Sequence, residues 1–500
     1  MAAPLATRCT MVDSLSDASF APCSPPVDAP SLPEWGHGFT DIKQAKAASQ
    51  WKQDADSGIA SMLAAAETDT SLTPSLLCGL DDAPIPLEDL TKAIQALDGA
   101  VSDGAKVTAA AVHEGSTTVR LETTDSASHS AMLMLSCADG STRSLFVKKV
   151  TNASVARKPW VDRQRTLKYI RTEARFYAEF AATLASRGVS LLKAPLVLDN
   201  TQALGGREVH EPAGNEPPES ALKDCGVMLF LEPIVGYECT SPLAASRAAV
   251  ALAAVAKLHA AAWEDRELLS AAAARLQRHG GAFALSVRNP QELFEIKTNW
   301  EKFKATFTPL APDLFARPGV QALGDRLERW SAWVSAQLSP GADDRFATIV
   351  HGDFKAMNVF LPLEAGEQDE AVLFDFANTG IGFGAADVAM HLQHAIAPAD
   401  LEDGGEERLI DGYLAAFEAA RGPNAAGKYP RDVALKHYQL GVLDYARFVV
   451  GRLWAASTPD TMAANANTPN VGLFNRSVEA ALGFVARIDR YLEKLEESSS

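Results

Sequence analysis

The stretch that decides the fold is His351-Gly352-Asp353-Phe354-Lys355-Ala356-Met357-Asn358, entered from Phe346-Ala347-Thr348-Ile349-Val350 and followed by Val359-Phe360-Leu361. A turn rich in glycine and acids, 364–370, then leads back through Ala371-Val372-Leu373-Phe374 to Asp375-Phe376-Ala377. Apolar β-leaning runs on both sides of a polar loop predict a hairpin. Such a ribbon brings Asp353, Asn358 and Asp375 together at one end. Asn358 and Asp375 offer hard oxygen ligands of the kind Mg²⁺ takes while it bridges nucleotide phosphates. Asp353 is left to accept a proton from a hydroxyl.

The pattern H-x-D-x-x-x-x-N, an apolar strand and then D-F-x resembles the catalytic and metal loops of kinases. Three further landmarks occur in the order that resemblance requires. Leu145-Phe146-Val147-Lys148 is similar to the strand that supplies a phosphate-contacting lysine, and Glu173 in Glu173-Ala174-Arg175-Phe176-Tyr177 to the E-x-x-F-Y helix that pairs with it. Lys149 is a rival for Lys148, because alternation along a strand sends neighbours to opposite faces. Ala256-Lys257-Leu258-His259-Ala260-Ala261-Ala262-Trp263 resembles the L-A-x-L-H-A-x-x-W helix of aminoglycoside phosphotransferases and the related CHK, or ecdysteroid-kinase-like, proteins.

The chain is thus similar, over roughly residues 105–455, to the aminoglycoside-phosphotransferase and choline-kinase superfamily. The resemblance implies an α+β, bilobal protein-kinase-like fold, with a small antiparallel-sheet N-lobe and a larger helical C-lobe. It implies transfer of the γ-phosphate of ATP, with Mg²⁺, to a hydroxyl of a small-molecule acceptor. Asp353 would be the base and Lys355 would offset charge on the γ-phosphate. Asn358 and Asp375 would hold the metal, and Lys148 with Glu173 the α- and β-phosphates. Ser116 and Thr117 would stand in for a phosphate-covering loop, and Glu232, within the 229–234 hinge, would lie at the adenine. His351, His259 and Trp263 read as packing residues. Asp387, in Gly382-Phe383-Gly384-Ala385-Ala386-Asp387, reads as a brace that accepts backbone N–H bonds.

Departures from the pattern narrow the class. Only Gly115 stands where a glycine-rich loop would lie, Ala377 replaces the glycine of D-F-G, and no A-P-E segment follows. These point away from protein kinases, which remain an alternative, as does a pseudokinase that binds nucleotide without turnover.

The rest of the chain sets the frame. Strands are predicted over 107–112, 117–122, 131–137, 144–150 and 227–231. Helices are predicted over 161–185, 242–263, 268–279, 290–307, 320–338, 406–421, 433–455 and 477–495. Composition assigns 1–80, with a short helix-like stretch at 41–67, to an N-terminal extension, 81–235 to the N-lobe with an insertion near 199–223, and 236–500 to the C-lobe. With 500 residues and 47% apolar content a large core is affordable. A net charge of -17 argues against nucleic acid. No apolar run reaches membrane-spanning length, and Asp13 and Asp17 interrupt any leader. The six cysteines lack C-x-x-C pairing, so free thiols in a cytoplasmic setting are expected.

Overall fold

A computed structural model describes residues 74–98, 106–112, 128–205, 215–285, 291–363, 370–421 and 427–498. The expected helix-like stretch at 41–67, the strand at 117–122 and the phosphate-contact candidates Ser116 and Thr117 lie outside the described residues.

The N-terminal half is built on a five-stranded sheet. Its strands are β1 (Val107–Val112), β2 (His129–Cys137), β3 (Thr142–Thr151), β4 (Leu196–Asn200) and β5 (Gly226–Leu231), in the order β1-β2-β3-β5-β4. All neighbours run antiparallel. Period-two alternation divides its side chains between two cores. Leu133, Leu135, Leu145, Val147, Met228 and Phe230 pack with Leu90 and Ile94 of α1 (Leu87–Asp98) on one face. Val150, Val227, Leu229 and Leu231 join the main core on the other. Strand β5, covered on both faces, therefore reads as a continuous apolar run. Leu76 is buried in the smaller core, so the sheet half reaches back into the segment that composition assigned to the extension.

Against the second face lies α2 (Trp160–Arg175), prolonged by a π-helical turn at Phe176–Phe180 and a last piece at Ala181–Ser186. Such bulges re-aim side chains and recur at functional sites. Here it follows Glu173 by three residues and turns Phe176 inward, where it is buried.

The helical half contains α3 (Ala245–Ala261), α4 (Ile296–Phe307), α5 (Leu323–Gln337), α6 (Gly384–Ala395), α7 (Gly405–Arg421), α8 (Arg431–Arg452) and α9 (Val478–Glu497). Helix α3 packs along α7, and α6 along α8. No single helix among the described residues is long and apolar enough to cross a membrane.

The expected hairpin is in fact two small sheets. Strand β7 (Thr348–Val350) pairs with β10 (Gly380–Gly382), whereas β8 (Val359–Pro362) pairs with β9 (Val372–Leu373) and with β6 (Tyr237–Glu238). The loop from 351 to 358 therefore crosses from one sheet to the other rather than lying along a single ribbon.

Burial of histidines makes the fold sensitive to acid. Loss of water pulls the imidazoles of His391, His394 and His437 down to about 4, 3 and 3 from 6.5. Unfolded chains take up these protons near pH 6.5 while the folded protein refuses them, so stability is complete above pH 6.5 and is lost as pH falls towards 4. Each ring contributes up to about 1.4 kcal/mol per pH unit in that window. Thermal unfolding between pH 7.5 and 5 should show Tm falling with acid, with a shallower slope in His437→Gln. An equal slope in parent and variant would contradict this.

Candidate active site

The loop that carries Asp353 begins where β7 ends. The His351 and Gly352 backbone N–H groups donate to the Asp387 carboxylate at 2.7 and 3.0 Å. Gly352 sits at φ +80, and a Cβ there would come within 2.7 Å of the Gly281 nitrogen. Only glycine fits this turn. His351 is fully buried. Its Nε2 donates to the Phe374 carbonyl at 2.9 Å, which leaves Nδ1 as an acceptor facing the Asp353 N–H at 3.4 Å. It is scaffold, as the sequence suggests, and Asp387 is the expected brace.

Asp353 is held by its own loop. Asn358 Nδ2 donates to the Asp353 carbonyl at 2.8 Å and to its carboxylate at 3.1 Å, and Lys355 Nζ stands 3.4 Å from the same carboxylate oxygen. That arrangement turns Asn358 Oδ1 away from Asp353, and no protein group donates to it among the described residues.

Asp375 occupies the left-handed region, at φ +64 and ψ +63. A non-glycine residue there is strained and persists only where its surroundings hold it. Phe376 supplies part of the hold, stacked on Phe176 at 3.8 Å and tilted over His351 at 4.9 Å. Lys148 Nζ lies between two acids, 2.7 Å from Glu173 Oε2 and 3.0 Å from Asp375 Oδ1. Burial alone would pull the ammonium down, but Asp375 and Glu173 outweigh it and hold Lys148 above its ordinary value. Burial pushes the Glu173 carboxyl up to about 7 despite Lys148. For Asp375 burial is outweighed by Lys148 and Lys355, so its carboxyl lies below the usual range and it is the ionised partner at neutral pH.

The register answers the choice between adjacent lysines. Lys149, pointing to the other face, donates to the carbonyls of Cys78 and Gly79 at 3.1 and 3.0 Å. It pins the segment before α1 to the sheet. Glu232, expected at the adenine, follows β5. Its carboxylate accepts the Lys193 N–H at 2.9 Å and its own N–H donates to the Lys193 carbonyl at 2.9 Å. The side chain is therefore engaged in holding the hinge, while its carbonyl and the Ile234 N–H have no hydrogen bond among the described residues.

Among the described residues, no group of three or more His, Cys, Asp and Glu side chains is gathered as a metal cage. Asn358 Oδ1 and Asp375 Oδ2 have no protein donor among the described residues. These are hard oxygens, and Mg²⁺ is commonly bound by one or two such groups plus phosphate oxygens. The sequence reading passed over Gln277, which is fully buried and reaches the turn after Asp375 at the Ala377 carbonyl. The Gly280-Gly281 pair just after it was the only local signal.

The two lysines should separate in experiment. Lys148→Met removes the charge between Glu173 and Asp375 and should lower turnover roughly 10-fold or more. Lys149→Met leaves two carbonyls without a donor, costs about 1–3 kcal/mol of stability and spares turnover per folded molecule. Activity assays paired with denaturant melts decide it, and the reverse pattern would show the register to be misread.

The phosphotransferase enzyme family (APH) matches residues 139–427, a span that holds Lys148, Glu173, Asp353, Asn358, Asp375 and Asp387. No curated protein matches the chain. Among solved structures, an aminoglycoside phosphotransferase from Alicyclobacillus acidocaldarius is 14% identical, over 73% of this chain and 92% of that one, with a TM-score of 0.38. Choline kinase LicA from Streptococcus pneumoniae is 10% identical over 80% and 98%, with a TM-score of 0.34. Amicoumacin kinase hAmiN, in complex with AMP-PNP, Ca²⁺ and Ami, is 14% identical over 74% and 86%, with a TM-score of 0.35. Since the family match spans more than half of the chain, the protein belongs to the phosphotransferase enzyme family.

Proposed function

We propose that the enzyme is ATP- and Mg²⁺-dependent and moves the γ-phosphoryl group to a hydroxyl of its small-molecule acceptor. The observation that carries this reading is the ion-pair chain Glu173–Lys148–Asp375, which joins α2, β3 and the metal loop. Lys148, oriented by Glu173, would meet the α- and β-phosphates. The unspent Glu232 carbonyl and Ile234 N–H would meet adenine. Ser116 and Thr117, in the segment between β1 and β2, would touch phosphate. Asn358 and Asp375 would hold Mg²⁺, which when bound would offset negative charge on the transferring phosphoryl group.

Asp353 stands beside this group with its carboxylate oriented by Asn358. In the transfer, the acceptor oxygen forms a bond to the γ-phosphorus, its proton passes to the Asp353 carboxylate, and the bond from the γ-phosphorus to the bridging oxygen of ADP breaks. Lys355 offsets charge on the moving phosphoryl group. The division into lobes at about residue 235 belongs to the same proposal, with the first lobe extended back to Leu76. The free thiols of Cys78, Cys137, Cys225 and Cys239 support a reducing, cytoplasmic setting.

The two aspartates differ in what they should lose. Asp353→Asn should keep Mg-ATP binding near normal and lower turnover roughly 10²-fold or more, the usual scale for loss of a general base. Asp375→Asn should weaken Mg²⁺-dependent nucleotide binding and turnover together. Calorimetric titration of ATP with and without Mg²⁺, alongside an ATP-consumption screen over hydroxylated metabolites, tests both. Full turnover by Asp353→Asn on any acceptor found would sink the assignment.

A further inference from the structure

A single segment from outside the motif region, 277–283, reaches both halves of the catalytic machinery. Gln277 N donates to the Thr379 carbonyl at 3.1 Å, and Gln277 Nε2 to the Ala377 carbonyl at 2.9 Å. Gly281 N donates to Asn378 at 3.0 Å, Gly280 N to Ile381 at 2.8 Å, and Ala282 N to Gly352 at 2.8 Å. The carbonyls of residues 377, 378 and 379, two to four residues after Asp375, are therefore all taken by one segment. The same segment holds the residue before Asp353.

The backbones meet too closely for side chains. A Cβ on Gly280 would lie 3.0 Å from the Gly380 nitrogen, one on Gly380 would lie 2.8 Å from the Gly280 nitrogen, and one on Gly352 would lie 2.7 Å from the Gly281 nitrogen. The far end of the segment is anchored as well. Arg447 of α8, fully buried, donates to the Phe283 carbonyl at 2.5 Å, and the Phe283 ring tilts against Tyr445 at 5.0 Å.

We infer that Gln277 is a positioning residue for the metal loop, and that segment 277–283 is the clamp that keeps Asp375 in register with Asp353. Among the five bonds its amide is the one made by a side chain, so it is the one that substitution can remove while the backbone stays. Asp375 needs such a hold because its left-handed conformation is strained. Fixing Ala377 two residues downstream restricts the turn that carries the Asp375 carboxylate, and placement within a fraction of an ångström is what a metal ligand requires. This inference rests on the proposed role of Asp375 as a metal ligand.

The test uses the full-length enzyme with MgATP. Gln277→Met keeps the side-chain length and loses the donor. It should raise the Mg²⁺ concentration for half-saturation of ATP binding, read by calorimetry, and lower kcat, each roughly 10-fold, as for other groups that orient metal ligands. The acceptor KM should stay within about twofold, because a change confined to the metal loop leaves ground-state acceptor binding alone. Asn299→Leu is the control: it removes another buried amide donor, to the Gly451 carbonyl at 3.0 Å, away from the turn that carries Asp375. A lower Tm without the Mg²⁺ shift is expected there. If Gln277→Met leaves kcat and the Mg²⁺ requirement unchanged, or moves them no more than Asn299→Leu, the inference is overturned.

Should Gln277→Met fail to fold, Gln277→Glu decides. Burial raises the pKa of the introduced carboxyl, so it keeps an O–H donor near neutrality and loses it as pH rises. Its kcat relative to the parent should fall from pH 6 to pH 9, and a flat ratio would overturn the clamp. Asp375→Asn in the same titration separates the levels. If it leaves the Mg²⁺ requirement unmoved, the metal-ligand reading fails and the clamp's role with it. If it moves the requirement and Gln277→Met does not, only the clamp fails.

Discussion

The Asp387 carboxylate takes three donors, and the geometry of the site depends on them. Oδ2 accepts from the His351 N–H at 2.7 Å and from His259 Nε2 at 3.1 Å, and Oδ1 accepts from the Gly352 N–H at 3.0 Å. A buried carboxylate without such donors would be costly, and the two N–H groups without the carboxylate would be orphans at the turn that aims Asp353. His259 is fixed in turn by the Tyr413 hydroxyl at 2.9 Å, so one carboxylate on α6 ties together α3, α7 and the loop that carries Asp353. The ring sits so close to α6 that Gly384 leaves no room for a side chain: a Cβ there would be 2.8 Å from His259 Cγ.

A column of rings carries this rigidity to the sheet half. His391 stacks on Phe354 at 4.5 Å, Phe354 lies 6.0 Å from His351, His351 tilts over Phe376, and Phe376 stacks on Phe176 of the π-helical turn. Glu173 leaves the same helix one turn earlier. The Lys148 ion pairs are therefore held from below by packing. Their own Coulomb attraction need only offset the cost of removing the paired groups from water. Restricting these groups before substrate arrives is what electrostatic stabilisation of a transferring phosphoryl group requires.

How much of this could be read in advance depended on the range of the determining contact. The spacing from Asp353 to Asn358 and on to Asp375 is local, and the order of Lys148, Glu173 and Asp387 around it needs no coordinates. The sequence favoured Lys148 but left Lys149 as a rival, because which face of β3 meets α2 is a tertiary fact. Helix α6 escaped notice because nearly all of it is buried, so it lacks the polar stripe that marks a surface helix. The pairing of β7 with β10 was illegible for another reason. Three-residue strands carry almost no periodicity, and their partner is chosen by backbones that cross at Gly280, Gly352 and Gly380. Gln277 matters through bonds to carbonyls about a hundred residues away, whose identity no side-chain pattern records. The turn at 364–369 lies outside the described residues, and Glu370 beside it meets Lys257 and Ser190.

The account stands on the turns at 351–358 and 375–377, carried by two small sheets and proposed to present a base and a metal edge to the same phosphoryl group. Diffraction from crystals grown with a non-hydrolysable ATP analogue and Mn²⁺ in place of Mg²⁺ tests it most directly, because the anomalous signal locates the metal independently of the chain. The account predicts an anomalous peak bounded by Asn358 Oδ1 and Asp375, with the γ-phosphate turned towards the Asp353 carboxylate and Lys148 drawn onto the α- and β-phosphates. A nucleotide seated elsewhere, or a metal held without Asn358 and Asp375, would contradict it.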